Sequence, residues 1–223
     1  MATTARTCSS GSIIRSNEPG VERTSDAWRT YGAWACVVGV AFFAVYPACN
    51  WVTSLRPSLA LYAASELRIP FVPRLIWAYL SMYALFAAPP FFLEPAGLRT
   101  LGRQLTAATL FSGLLFILFP AKLGFARVVP TETLYAGLFS RLFALDLPHN
   151  LAPSLHVVFS ALISLALCDR ARAPWVRAAC RAWLALLCAS TVLVHQHHLL
   201  DVASGLAVAS ICRHWLKGEQ THA

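Results

Sequence analysis

Residues 31–55 read YGAWACVVGVAFFAVYPACNWVTSL, without one acidic or basic side chain. About 20 apolar residues in a row cross the hydrocarbon core of a bilayer as a helix. Inside lipid, only helices and closed barrels satisfy every backbone polar group. Further charge-free runs occupy residues 75–93, 104–121 and 147–168, and from 182 to 212 the only breaks are a histidine cluster and Asp201. That last length suits two short spans joined by a tight turn. The expected fold is therefore all-α: a polytopic bundle of about six transmembrane helices over residues 31–217. Composition agrees, with 13% charged residues against about 25% in soluble domains. Residues 1–30 are rich in Ser, Thr and Arg, lack the apolar core of a signal peptide and read as a disordered cytoplasmic tail. No fixed-period repeat is visible.

The basic residues orient the bundle. With the tail inside, the inner segments hold Arg6, Arg15, Arg23, Arg29, Arg99, Arg103, Arg170, Arg172, Arg177, Arg181, Arg213 and Lys217. The outer segments hold Arg56, Arg68, Arg74, Lys122, Arg127 and Arg141. An excess of this kind on the cytoplasmic side is the ordinary bias of membrane proteins. It places the loop of residues 122–153 and the turn around 197–201 on one outer, non-cytoplasmic face. The short, lean spans point to a bacterial inner membrane. The net charge of +8 is dealt out between apolar runs and forms no patch, which argues against a nucleic-acid partner. The seven cysteines are scattered, odd in number and without a C-x-x-C pair, so no disulfide framework is read from them. Between the first two spans, "PSLALYAASELRIP" (57–70) is too short and mixed to cross and reads as an interfacial helix.

Three polar segments interrupt the apolar pattern. "FPAKLGFARVVP" (119–130) carries Lys122 and Arg127, which alone would be ordinary snorkelling cations. "LPHNLAPSLHVVFSAL" (147–162) places Pro153 early in a helix, Ser154 beside the free N–H groups of that helix end, and His156 one step further in. A helix N-terminus attracts anions, although a capped helix with a satisfied histidine has the same signature. "STVLVHQHHLLDVASG" (190–205) holds His195, His197, His198 and Asp201. Ionisable groups at mid-bilayer cost about 2.5–3.5 kcal/mol each on insertion scales, so they need internal pairing or a job. Asp201 follows His197 by four residues and His198 by three, so either histidine could share its helical face. A carboxylate on one imidazole nitrogen raises the basicity of the ring and aims the other nitrogen. The cluster also suggests the histidine boxes of membrane di-iron oxygenases. Those sites need about eight histidines in several boxes, and His149, His156, His214 and His222 stand apart from one another here.

Taken together, the three segments resemble the signature motifs of the type 2 phosphatidic acid phosphatase superfamily: K-x6-R-P, P-S-G-H and S-R-x5-H-x3-D. The third fits as Ser190-Thr191, five residues, His197, three residues, Asp201; the second fits as Pro153-Ser154-Leu155-His156. The resemblance covers roughly residues 70–212 and selects His197 among the three clustered histidines. It implies metal-independent phosphoryl transfer without a cofactor. His197 would attack phosphorus and form a phosphohistidine, with Asp201 orienting its ring. His156 would protonate the leaving alcohol and then activate water or an acceptor. Lys122, Arg127, Ser154 and Ser190 would hold the phosphate oxygens. Strict spacing from Lys122 puts Val129 where the family has arginine, with Arg127 two residues early; Leu155 replaces glycine and Thr191 replaces arginine. The Leu and Thr variants, with "IPFVPRLIWAYLS" (69–81), look similar to the inositol phosphorylceramide synthase-like (inositolphosphotransferase-like) branch. The expected function is hydrolysis of a phosphomonoester or pyrophosphate on a membrane lipid. The alternatives are transfer of a phospho-head group to another lipid, or a catalytically silent scaffold or transporter with the same fold.

Overall fold

The computed structural model describes residues 19–145 and 149–217. Its helices are α1 (Pro19–Ser54), α2 (Ile76–Ala87), α3 (Pro89–Phe92), α4 (Pro95–Leu118), α5 (Thr133–Leu145), α6 (Leu155–Arg170), α7 (Pro174–Leu193) and α8 (Leu199–Trp215). No strand is present among the described residues. Helix α1 begins at Pro19, ahead of the apolar run that opens at residue 31. Its first three turns therefore use residues read above as tail, while residues 1–18 lie outside the described residues. Prolines 95 and 174 each occupy the first turn of their helix, where a missing N–H breaks no bond.

Three helical stretches are long and apolar enough to cross a membrane: Thr24–Ser54, Pro95–Leu118 and Pro174–Leu193. The other expected spans are shorter. Helix α2 has 12 residues, α6 has 16 and α8 has 17, against about 20 for a full crossing. The run 75–93 is divided at Pro89–Pro90: Ala88 is still helical, with φ −73° and ψ −39°, but two successive residues without an N–H cannot continue the hydrogen-bond ladder of α2. Helix α6 begins only at Leu155, since Ser154 caps it and Pro153 lies before the cap rather than at the first helical position.

Lipid chains are as apolar as leucine, so helix association here depends on close packing more than on the hydrophobic effect. Helix α1 lies along α4, and α6 packs against α4, α7 and α8. The centre is filled by Leu105, Ala108 and Phe116 of α4, Val158, Leu162 and Ile163 of α6, and Val208 and Ala209 of α8. At Gly205 of α8, a Cβ would come within 2.9 Å of the Ser154 carbonyl oxygen and 3.1 Å of Val157 Cβ. Only glycine lets the start of α8 approach the start of α6 this closely. The result is a bond from Ser154 N–H to the Asp201 carbonyl, 3.0 Å.

Residues 55–75 are not the interfacial helix expected from "PSLALYAASELRIP". They form a strap with two 3₁₀ turns, Ala64–Arg68 and Pro73–Leu75. Leu59 pairs with the segment after α4, donating to Pro120 O at 2.6 Å and accepting from Lys122 N at 2.9 Å. The physical reason is Glu66, which is 8% exposed: burying a carboxylate inside protein is incompatible with a helix lying free at the lipid surface. The loop 122–153 contains α5, whose Phe139 packs against Ile76, Tyr79 and Val194.

Candidate active site

The end of α7 builds the turn that carries the histidines. Ser190, Thr191 and Val192 present carbonyls at the helix end. Val194 N bonds to Ser190 O at 2.9 Å, His195 N to Val192 O at 2.9 Å, and both Gln196 N and His197 N to Thr191 O at 3.0 Å. The chain reverses through His195, whose φ of 57° lies in the left-handed region that costs a non-glycine residue about 1 kcal/mol or more. Hydrogen bonds and ring contacts from neighbouring segments hold the turn there.

His197 and Asp201 meet as expected, but not on one helical face. His197 and His198 precede α8, and Asp201 sits in its first turn. Asp201 Oδ2 accepts the His198 N–H at 2.8 Å and lies 3.3 Å from His197 Nδ1. With the Nδ1 proton directed at the carboxylate, the lone pair of the ring is on Nε2. Both residues are buried, at 4% and 1% exposure. His156 approaches from α6, its ring centroid 6.0 Å from that of His197. Tyr79 of α2 stacks on His156 at 4.4 Å, with its hydroxyl 3.4 Å from His156 Nδ1. The sequence offered no signal for Tyr79, which sits in an apolar run with no polar neighbour in register.

The phosphate-binding candidates are placed less uniformly. Ser154 caps α6, accepting from Val157 N at 3.4 Å. Ser190 is buried and donates to Leu187 O at 2.7 Å. Thr191, which stands at the family's arginine position, donates to Cys188 O at 2.8 Å. Arg127 donates to Phe143 O at 3.0 Å, its guanidinium 5.1 Å from the Phe143 ring centre, so α5 engages it. The Lys122 side chain is exposed, and its backbone is held by Leu59.

The two remaining histidines explain why this turn has three. His198 Nε2 accepts from Gly124 N–H at 3.0 Å, so its proton is on Nδ1, 3.4 Å from Glu66 Oε2. His195 Nε2 donates to Ile69 O at 3.0 Å. Their rings join a column in the order Tyr62, His198, Phe125, His195, with centroid spacings of 4.3, 4.4 and 4.0 Å and planes within 16° of parallel. Burial lowers the pKa of both histidines; at His198 the nearby Asp201 and Glu66 carboxylates oppose this only in part. They are pins that clamp the strap and the segment after α4 onto the histidine turn.

Glu66 is the acidic half of the clamp. Its carboxylate accepts from Leu199 N–H and Ala63 N–H, at 2.8 and 2.9 Å. Burial raises its pKa, but these two bonds and His198 outweigh burial and hold it below the usual carboxylate range. With His198 neutral, the backbone N–H groups are the main cause. Glutamine at this position has a single acceptor oxygen, so one buried N–H loses its partner, which costs about 2 kcal/mol. Glu66→Gln should therefore lower Tm in detergent at pH 7 by roughly 4–8 °C. A carboxylate with a depressed folded pKa contributes stability above its unfolded value of about 4.3 and loses it as pH falls. The wild-type and Glu66→Gln melting curves should then converge below about pH 4. Equal Tm values at pH 7 would refute the clamp.

The His156 and His197 rings close one end of a cavity of about 630 Å³ whose remaining walls are largely apolar. Among the described residues, no group of three or more His, Cys, Asp or Glu side chains is arranged to hold a metal ion.

Residues 51–214 match the PAP2 superfamily. No curated protein and no solved structure matches the chain. The matched region runs from the end of α1 to the last turn of α8 and contains the strap, the three polar segments and the whole histidine turn. Covering well over half of the sequence, this match shows that the chain belongs to the PAP2 superfamily, whose members are generally phosphatases.

Proposed function

We propose that this protein is an integral membrane phosphatase that hydrolyses a phosphomonoester or pyrophosphate of a lipid through a phosphohistidine. The observation that carries this reading is the His197–Asp201 pair, facing His156 at the end of a deep apolar cavity. In the first step His197 Nε2 forms a bond to phosphorus as the bond from phosphorus to the lipid oxygen breaks. His156 delivers a proton to that departing oxygen. In the second step a water oxygen bonds to phosphorus, His156 takes its proton, and the N–P bond breaks to release phosphate. Splitting one displacement into two lowers each barrier, and most of the remaining work is positioning and charge stabilisation. Lys122, Arg127, the Ser154 hydroxyl and a rotated Ser190 hydroxyl would hold the phosphate oxygens.

In the same reading the bundle has six spans, and the histidine end faces the non-cytoplasmic side of a bacterial inner membrane. Helices α2, α6 and α8 would complete the six although each is shorter than a full crossing; the strap and the histidine turn adjoin them at the outer interface as non-helical backbone buried by protein. Transfer of a phospho-head group is the second reading, favoured by Leu155 and Thr191 at the positions that resemble the inositolphosphotransferase-like branch. The test is phosphate release from a panel of lipid phosphates with a chelator present. Release that survives the chelator supports hydrolysis. Product that forms only when an acceptor lipid is added assigns transfer, and no product in either assay refutes both readings.

A further inference from the structure

The apolar cavity under the histidines is elongated. One face of α1 lines it continuously through Tyr31, Trp34, Val38, Phe42 and Tyr46 to Pro47, the three- and four-residue spacing that puts side chains on one side of a helix. From residue 31 to residue 47 that face spans about 24 Å at the helical rise per residue. A hydrocarbon core of about 30 Å allots about 15 Å to each leaflet, so the groove continues past the midplane. At its far end the Trp34 indole packs against Gly102 of α4, leaving no room for a Cβ there, and the Tyr31 hydroxyl donates to Phe86 O of α2 at 2.7 Å. Its side opens between α1 and α2, where the lining residues Phe43 and Tyr83 are 73% and 59% exposed.

We infer that this groove takes the hydrocarbon tail of the substrate, and that it selects a phosphate carried on a tail longer than one leaflet. The inference rests on the phosphatase reading for its head-group chemistry. Continuity with the candidate active site names the occupant: His156 and His197, which would flank the phosphate, themselves line the groove, so a tail attached to that phosphate can run directly into it. A tail of ordinary leaflet length fills only the upper part, and a longer one reaches Trp34. Gly39 gauges this length. It lines the groove about 12 Å from the histidine end, and a Cβ there meets nothing within 4 Å. A large side chain at position 39 enters the groove without disturbing the helix packing.

Two measurements test this. The first compares kcat/KM for phosphate release from a long-chain isoprenyl phosphate and from octyl phosphate. Gly39→Trp should lower the long-to-short ratio about tenfold or more, the scale on which an obstructed apolar pocket discriminates. Val40→Trp, on the lipid-facing side of α1 at 71% exposure, should leave the ratio unchanged. An unchanged ratio in Gly39→Trp, or an equal fall in Val40→Trp, overturns the inference. The second needs no turnover. A non-hydrolysable isoprenyl phosphonate with a photoreactive group at its tail end should label peptides containing Trp34 or Leu101. Label confined to α5 or α7, or spread without preference, overturns the groove. If label reaches Trp34 while neither ester releases phosphate, the groove stands and the phosphatase reading falls.

Discussion

His197→Ala should reduce phosphate release from lipid phosphates by at least about 10⁴-fold, the scale of removing a nucleophile from a covalent mechanism. The loss should appear in kcat, because the cavity and the phosphate donors remain. The alanine leaves a small void in a turn held by backbone bonds from Val194, His195 and Gln196, so the variant should melt within a few degrees of wild type. A labelled substrate phosphate should be retained on quenched wild-type protein and absent from His197→Ala. His156→Ala should still take up label from an ester with a good leaving group, because His156 acts on the departing oxygen and on water rather than on phosphorus. Wild-type rates in His197→Ala would refute the mechanism. Label on the alanine variant would move the nucleophile elsewhere.

Asp201 should show the second largest effect, and two substitutions separate its roles. One carboxylate oxygen, Oδ2, takes both the His198 N–H and the His197 ring. Asp201→Ala removes that acceptor, leaves a buried N–H unpaired and frees the imidazole to turn; activity should fall about 10³- to 10⁴-fold. Asp201→Asn can place its amide oxygen where Oδ2 stood and keep both bonds, but it lacks the charge. The imidazole that bonds to phosphorus then lacks a negative charge beside it, so the asparagine variant should lose about tenfold to hundredfold. Equal losses in the two variants would mean that charge alone matters and orientation does not. Full activity in Asp201→Ala would remove Asp201 from the machinery.

The parts of this molecule that were legible in the sequence are those set by local solvent preference. Charge-free apolar runs mark α1 and most of α4, because a helix satisfies its own backbone groups inside lipid. The spacing from Ser190 to Asp201 and the Pro153–His156 tetrad were also legible, since the turn of α7 into α8 and the cap of α6 are local structures with fixed residue offsets. The proline pair at 89–90 is legible too, but the apolar run on both sides of it masks how early it ends α2.

What only the tertiary structure decided involves contacts between segments far apart in the chain. Glu66 looks like a charge on an interfacial helix until Leu199 N–H, 133 residues away, is seen to bond to it. Tyr62, Phe125 and two histidines from three segments become one column of rings, and Tyr79 reaches His156 across 77 residues. Neither periodicity nor spacing encodes such meetings, because each partner alone fits a bland local role. The apolar stripe of α1 reads as lipid contact or core in any sequence. It becomes a groove because Gly102 lets Trp34 pack against α4 and Tyr31 reaches Phe86 at one end, Gly205 lets α8 bring Asp201 to Ser154 and His197 to the other, and α1 and α2 stand apart between them. The chemistry of the side chains could be read along the chain, whereas the cavity that gives this chemistry a substrate is a property of how the helices pack.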